Sequence, residues 1–412
     1  MIYNFELKNG IRCILNKIEG VFSVSMGILV GAGSALETEK ENGISHFIEH
    51  VNFKGTKKRT AFEISSDVDR LGAQINAFTS KEFTCYYIKS IGEHFAESFE
   101  ILSDLFINSV YDSEELKKES GVIIEEINMY EDTPDEVCTD GLATAFYGDR
   151  GYGATILGSI ENVSSFTRKD VLSYKEKYYT TDNIVISIAG AISLEEAKSA
   201  CEQFMGDLKP SKKATAPRVN KDNLHGNFVS NKDIEQAHIA IAIPAPGLTS
   251  LSSDAYSIAC GALGGGMSSR LFQTVREQMG LCYSIYSYVT SYLDCGFTSI
   301  YAGVGIKNYK SAFDAILSEM QKLKKDGITE EEFLRTREQI KSSFVMSQES
   351  TASQMVLFGK YLLLTGKDFD FNKKLEAINS LTKNDVNELI LRDIEIDNIA
   401  TSIVGKDILP LK

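Results

Sequence analysis

Positive charge is in deficit in this chain: 43 Lys and Arg stand against 57 Asp and Glu, a formal net charge of −14. A nucleic-acid partner needs a basic face to neutralise phosphates, and this balance argues against one. Long apolar runs are absent as well. The best candidate, Met26 to Ala35, is interrupted by three glycines and falls far short of the roughly 20 residues of a membrane span. The opening stretch MIYNFELKNGIRCILNK has no basic segment followed by an apolar core, so no secretory signal is expected. Seven cysteines, at 13, 85, 138, 201, 260, 282 and 295, include no C-x-x-C pair. Odd in number and widely scattered, they read as reduced, small buried side chains of a cytoplasmic protein, not as a disulfide frame or a thiolate metal site. Histidine is scarce too, with five in 412 residues.

Two of those five histidines share one short segment, GISHFIEHVNF (43–53), with Glu49 between them. On a helix His46, Glu49 and His50 project within an arc of roughly 100°. Two imidazoles one turn apart can each give a lone pair to a single Zn²⁺. Glu49 then lies beside the metal without needing to bind it, which suits a general base acting on water. H-x-x-E-H is the inverted order of the commoner zinc-protease signature. The competing reading is a core helix that carries polar residues by chance, since Ile44, Phe47, Ile48 and Val51 are apolar.

The chain also repeats itself. Thr167-Arg-Lys-Asp170-Val171 recurs as Thr382-Lys-Asn-Asp385-Val386, Asp182-Asn183-Ile184 as Asp397-Asn398-Ile399, and Gly190 as Gly405, all 215 residues apart. Phe83-Thr-Cys-Tyr-Tyr87 matches Phe297-Thr-Ser-Ile-Tyr301 at 214. A near-constant offset implies two copies of one domain, not a short-repeat solenoid. The expected division is a first domain over 1–212, a linker over 213–226 within the polar, lysine-rich stretch 207–226, and a second domain over 227–412. Strand-like segments at 22–30, 83–88 and 238–243 mix with helical periodicity at 61–71, 94–106, 113–130, 194–205, 252–262, 309–324 and 330–347. That mixture predicts an α+β fold, each domain a mainly antiparallel sheet with helices packed on one face. Shifted by 215, His46–His50 falls on Gly261–Gly265, which holds no imidazole or carboxylate. The metal-binding chemistry is therefore expected in the first copy alone.

Two histidines leave a catalytic zinc one protein ligand short. His94, His225 and His238 occur in unrelated contexts and read as surface or structural residues. The helical segment 113–132, SEELKKESGVIIEEINMYED, offers carboxylates instead. With Leu116 as the origin, Ile123, Ile127 and Tyr130 form an apolar stripe within about 40° of it. Glu119 and Glu126 lie near its edge, at about −60° and −80°, while Glu125 faces away at about 180°. A carboxylate turned toward a core needs a cation or a metal. Glu126 is the better ligand candidate, and Glu119 is placed to orient the site from behind. An acidic helix whose glutamates are merely solvated fits the same pattern.

Together, HFIEH at 46–50, E-x6-E at 119 and 126, and duplicated domains of this size resemble the pitrilysin-type zinc peptidases. The nearest likeness is to the small two-domain branch that includes the mitochondrial processing peptidase β subunit and its bacterial relatives. Flanking text at 46–56, 72–87 and 125–134 reads like that family too, and the resemblance covers essentially the whole chain. It implies His46, His50 and Glu126 as zinc ligands, Glu49 as general base and Glu119 as a supporting residue. It further implies that substrate joins a sheet edge as an extra strand at Asn76-Ala77, with Arg276 and Tyr283 of the second domain as substrate-binding residues. The function expected is zinc-dependent cleavage of extended peptides or presequence-like segments, inside a chamber formed by a homodimer of half-shell chains. A catalytically silent peptide-binding or assembly subunit of the same family is the alternative. A zinc hydrolase acting on a non-peptide substrate shares the metal chemistry. The glycine-rich GALGGGMSSRLF (261–272) has neither the pattern nor the lysine of a phosphate-binding loop.

Overall fold

Alternating apolar residues and helical stripes sort the chain into eleven strands and fourteen α-helices among the described residues. The structure, a computed structural model, describes residues 1–216 and 219–411; Pro217 and Arg218 of the expected linker lie outside the described residues. Strands β1 (Ile2–Glu6), β2 (Arg12–Lys17), β3 (Ser23–Val30), β4 (Gln74–Thr79), β5 (Thr84–Ile91) and β6 (Ile184–Gly190) form one sheet. Its order is β1-β2-β6-β3-β5-β4. Strands β7 (Asn227–Asn231), β8 (Gln236–Ala245), β9 (Cys282–Ser291), β10 (Gly296–Gly305) and β11 (Ala400–Gly405) form the other, in the order β7-β11-β8-β10-β9. Apart from the extra edge strand β1, the second order maps onto the first. In both sheets a single neighbouring pair is parallel, β2–β6 in one and β11–β7 in the other, at the corresponding place.

The helices are α1 (Ile44–Asn52), α2 (Ala61–Arg70), α3 (Phe95–Asn108), α4 (Ser113–Glu131), α5 (Pro134–Tyr147), α6 (Ile160–Ser165), α7 (Arg168–Tyr178) and α8 (Leu194–Met205). They continue as α9 (Ser253–Gly264), α10 (Tyr309–Asp326), α11 (Glu330–Ser347), α12 (Thr351–Thr365), α13 (Phe371–Ser380) and α14 (Lys383–Asp393). The repeat read from the sequence has a physical basis. Thr167 and Asp170 close a capping box at the start of α7, and Thr382 and Asp385 close the same box at α14.

Two compact units result, and neither is a continuous stretch of chain. One comprises Met1–Ile127, Thr155–Arg218 and Ser347–Phe369; the other comprises Asn128–Ala154, Val219–Met346 and Asp370–Lys412. The spans 1–212 and 227–412 expected from the repeat miss two exchanges. α5 belongs to the second unit, packed on β11, β8 and β7, while α12 belongs to the first, packed on β3 and β6. The equivalent helix of each copy is the one exchanged. Sequence repetition finds equivalent elements but not which sheet each covers, because an apolar helix face fits either.

In the first unit, one sheet face presents Met26, Ile28, Tyr86 and Ile88 to Phe47 and Ile48 of α1 and to Phe99 and Leu102 of α3. Full burial of each such aliphatic or aromatic side chain stabilises by about 1.5–3 kcal/mol. The alternate residues Leu29, Cys85 and Ala189 meet Met355 of α12. α12 approaches closely: a Cβ at Gly27 would lie 2.3 Å from the Met355 sulfur. The strand β4 ends this sheet, so its outer backbone edge has no neighbouring strand in the sheet.

Candidate metal centre

α1 turns Ile44, Phe47, Ile48 and Val51 into the core, each 0 or 1% exposed, and leaves His46, Glu49 and His50 on its other face. Its N-cap position is Gly43, with φ at +98° and no side chain to cap the helix. Glu37 caps it from six residues upstream. The Glu37 carboxylate accepts from the Gly43 N–H at 2.7 Å and the Ser45 N–H at 2.8 Å, with the Asn42 amide at 3.2 Å. A buried anion there meets both the orphan N–H groups and the positive end of the helix dipole. Burial nevertheless leaves the Glu37 carboxyl above its ordinary range, against these hydrogen bonds.

α4 crosses nearby and brings two carboxylates to α1. Leu116, Glu119 and Ile123 are buried and Glu125 is exposed, the order the stripe predicts. Glu126 Oε2 lies 3.7 Å from His46 Nε2 and 3.5 Å from His50 Nε2, and the imidazole centroids are 4.5 Å apart. One donor atom from each of the three side chains lies within 4.8 Å of the others. Tetrahedral zinc with bonds of about 2.0–2.1 Å places its ligand atoms about 3.3 Å apart. The Glu126 oxygen is within a few tenths of an ångström of that separation from each imidazole nitrogen, and all three donors lie close enough together to share one ion after a small closure.

Protonation favours the same occupant. Burial, reinforced by the nearby His50, depresses His46 to about 3, so its imidazole is neutral with a lone pair available. The His46 Nδ1 is buried without a hydrogen-bond partner among the described residues. Burial pulls His50 down, but the hydrogen bond to Glu119 and the charges of Glu119, Glu126 and Glu49 outweigh it and leave His50 raised. Three carboxylates around two imidazoles make a negative field that a dication would neutralise. Glu119, 4% exposed, receives His50 Nδ1 at 2.9 Å and the Lys54 ammonium at 2.6 Å. It fixes the tautomer that leaves Nε2 free. Burial pushes Glu119 up, yet these two partners hold its carboxyl below the usual range.

Glu49 does not join the donor set. Its Oε2 accepts a hydrogen bond from the Thr79 hydroxyl at 2.6 Å. Burial raises its carboxyl, with Thr79 and His50 pulling the other way. Thr79 was not a sequence candidate: only the packing of β4 beside α1 brings it here, and no local pattern announces that. Lys54 was also missed, although it stands one turn after His50 on the same helix spacing, a signal that was available.

Asn76 and Ala77 lie on β4, the edge strand, and the Ala77 N–H donates to the Asn76 side-chain oxygen at 2.8 Å. Register with β5 sets Ala77 opposite the buried Tyr86 and Asn76 opposite Tyr87, so successive β4 side chains turn to opposite faces. Arg276 and Tyr283 belong to the second unit. Arg276 sits in the wide helical turn Phe272–Gln278, its guanidinium 4.5 Å from the Phe272 ring centroid and 5.0 Å from that of Tyr283. Tyr283, near the start of the edge strand β9, is 77% exposed. Of the remaining histidines, His238 bonds Tyr301 through Nδ1 at 2.7 Å, and neither His94 nor His225 enters the cluster.

Two imidazoles and a carboxylate that could hold one metal ion, with the Glu49 carboxylate beside them, make a candidate metal centre on a two-unit α+β scaffold. Residues 12–159 match the family described as Insulinase (Peptidase family M16), and residues 165–340 match the one described as Peptidase M16 inactive domain. The chain belongs to peptidase family M16. It is 41% identical over 408 residues, 98% of each chain, to the uncharacterized zinc protease YmxG of Bacillus subtilis. It is 33% identical over 414 residues to an uncharacterized zinc protease of Streptomyces coelicolor, covering 98% of this chain and 89% of that one. In fold it is similar to a protease from Helicobacter pylori, with a TM-score of 0.89 at 22% identity over 98% and 99% of the two chains. It is similar also to a chain of complex III2 from Candida albicans, with a TM-score of 0.85 at 20% identity over 98% and 95%. No helix among the described residues is long and apolar enough to cross a membrane.

Proposed function

We propose that this chain is a zinc-dependent endopeptidase that cleaves extended peptides, presequence-like segments included. The observation that carries the reading is the meeting of His46, His50 and Glu126 beside Glu49 and the unpaired strand edge of β4. When bound, zinc polarises a scissile carbonyl and lowers the pKa of a water at its open position. His46, His50 and Glu126 would hold the ion, and Glu119 would keep His50 in the ligating tautomer. Glu49 takes the proton of the attacking water on its carboxylate and returns it to the departing amine. The raised pKa of Glu49 makes it a stronger base for the first transfer, and Thr79 holds the carboxylate in place. The peptide pairs its backbone with Asn76-Ala77 at the edge of β4, which gives affinity with little sequence demand. Arg276 and Tyr283 supply further substrate contacts, and the working form is a cytoplasmic homodimer.

A mixed peptide library, read by mass spectrometry with and without a chelator, tests the activity. Cleavage should appear, vanish with the chelator, and return with added zinc. Glu49→Gln should lower the rate by about 10²–10⁴-fold while retaining zinc. Full activity in metal-replete Glu49→Gln protein refutes the role of Glu49. No cleavage by zinc-loaded wild-type protein favours a silent peptide-binding subunit instead.

A further inference from the structure

At the C-terminal end of α1 runs a connected chain of three unusual side chains. Lys175 of α7 is half-buried, and its ammonium donates to the Phe106 carbonyl at 3.0 Å and the Tyr111 hydroxyl at 2.5 Å. It faces the rings of Phe106, Tyr111 and Tyr179 at 5.0–5.5 Å. Burial alone pushes its pKa down to about 7, with no carboxylate to offset it. Tyr111, in the loop between α3 and α4, has φ at +54°, a left-handed conformation that a bulky side chain rarely adopts. That backbone carries its hydroxyl to the side-chain oxygen of Asn52 at 2.7 Å. Asn52 is fully buried in the last turn of α1, two residues after His50. Its carbonyl accepts from the Ser109 hydroxyl at 2.9 Å, while its amide nitrogen has no partner among the described residues.

Each feature costs free energy that a plain core would avoid. A methionine fills the space of Lys175 without desolvating an ammonium. Strain of the kind seen at Tyr111 persists where surrounding structure over-determines it, and it clusters at functional sites. All three features converge on α1, the helix that carries His46 and His50, at the end opposite the Glu37 cap. We propose that Lys175 and Tyr111 are positioning residues for the metal centre: they grip Asn52, fix the last turn of α1, and so set the direction in which His50 presents Nε2. This role rests on the metal reading given above. It differs from that of Glu119, which acts on the His50 ring directly, because here the backbone beneath the ring is held.

The test uses the full chain with Lys175→Met and Tyr111→Phe, singly and together. Met205→Ala, a cavity in the same core on α8, serves as a control of stability alone. Three quantities are measured: the zinc Kd by competition with a chromophoric chelator, the visible spectrum of the cobalt-loaded protein, and the thermal midpoint. Both single variants should weaken zinc binding about tenfold, at the lower end of the effect of outlying partners on metal sites, and should change the cobalt spectrum. The double variant should be no weaker than the worse single, as two links of one chain require. Met205→Ala should lower the midpoint and leave both metal readouts alone. Wild-type Kd and spectrum in the two single variants, or a Kd loss in Met205→Ala matching theirs, overturns the positioning role. A wild-type chain that takes up no zinc overturns the metal reading first, and this role with it; wild-type binding with unaffected variants overturns the role alone.

Discussion

Removing the carboxylate of Glu119 is the sharpest probe of how the centre is held. Glu119 is 4% exposed and joins His50 Nδ1 at 2.9 Å to Lys54 Nζ at 2.6 Å. A charge-assisted hydrogen bond contributes about 1.5–3 kcal/mol, and a neutral one about 0.5–1.5. Glu119→Gln keeps an acceptor for His50 but loses the charge, so about 1 kcal/mol should go and zinc Kd should rise roughly fivefold. Glu119→Ala removes the acceptor as well, and the rise should reach about 10–100-fold. Chelator competition at neutral pH reads both values, and the order wild type, Gln, Ala is part of the expectation. The pH dependence carries a sign that is independent of those magnitudes. Burial lowers His50, but Glu119 and the neighbouring acids raise it overall. Zinc must displace a proton from His50 whenever the pH lies below that raised value, so wild-type affinity falls as pH drops through it. In Glu119→Ala burial is opposed by less charge, the His50 pKa is lower, and the decline begins at a lower pH. The gap between variant and wild type should therefore narrow on acidification. An alanine variant with Kd within twofold of wild type, or a gap that widens in acid, refutes the argument that Glu119 orients and charges His50.

The other tests separate metal, fold and substrate. Gly43→Ala forces φ = +98° on a Cβ that would lie 2.7 Å from the Leu157 carbonyl oxygen. It should destabilise the protein by about 1–3 kcal/mol, seen as a lower thermal midpoint, and should weaken zinc binding because α1 begins there. Arg270 makes a two-pronged pair with Glu332, 2.6 and 2.7 Å, and also bonds the Gly327 carbonyl at 2.7 Å. Arg270→Met should cost about 3 kcal/mol in denaturant unfolding while leaving zinc Kd unchanged, since this pair serves the second unit. Arg276→Ala should raise KM about tenfold, a loss of about 1.4 kcal/mol, with zinc affinity intact. An unchanged KM removes Arg276 from substrate binding.

Much of this was legible in residue order because it depends on short-range geometry. The spacing of His46, Glu49 and His50 fixes their shared helical face wherever the helix packs, and the stripe on α4 separates Glu119 and Glu126 from Glu125 by rotation alone. The capping boxes at Thr167 and Thr382 are local as well, so the duplication could be read at constant offset. Glu37 is the opposite case. It caps α1 across a turn of six residues, a contact that no capping pattern encodes.

The sequence by itself determined which residue types are candidates for a metal, which carboxylate stands beside them, the doubling of the domain and the strand and helix character of most segments. Tertiary structure alone decided that Thr79 of β4 reaches Glu49 and that α5 and α12 each cover the sheet of the other copy. It brought Glu126, already a candidate by helix rotation, to the imidazoles of α1. It also decided that Tyr111 takes a left-handed backbone and that the Lys175 ammonium bonds it near the end of α1. The reason is physical. Periodicity specifies which face of an element is apolar, whereas its partner depends on shape and on long-range closure, and many apolar faces of similar width compete for each sheet.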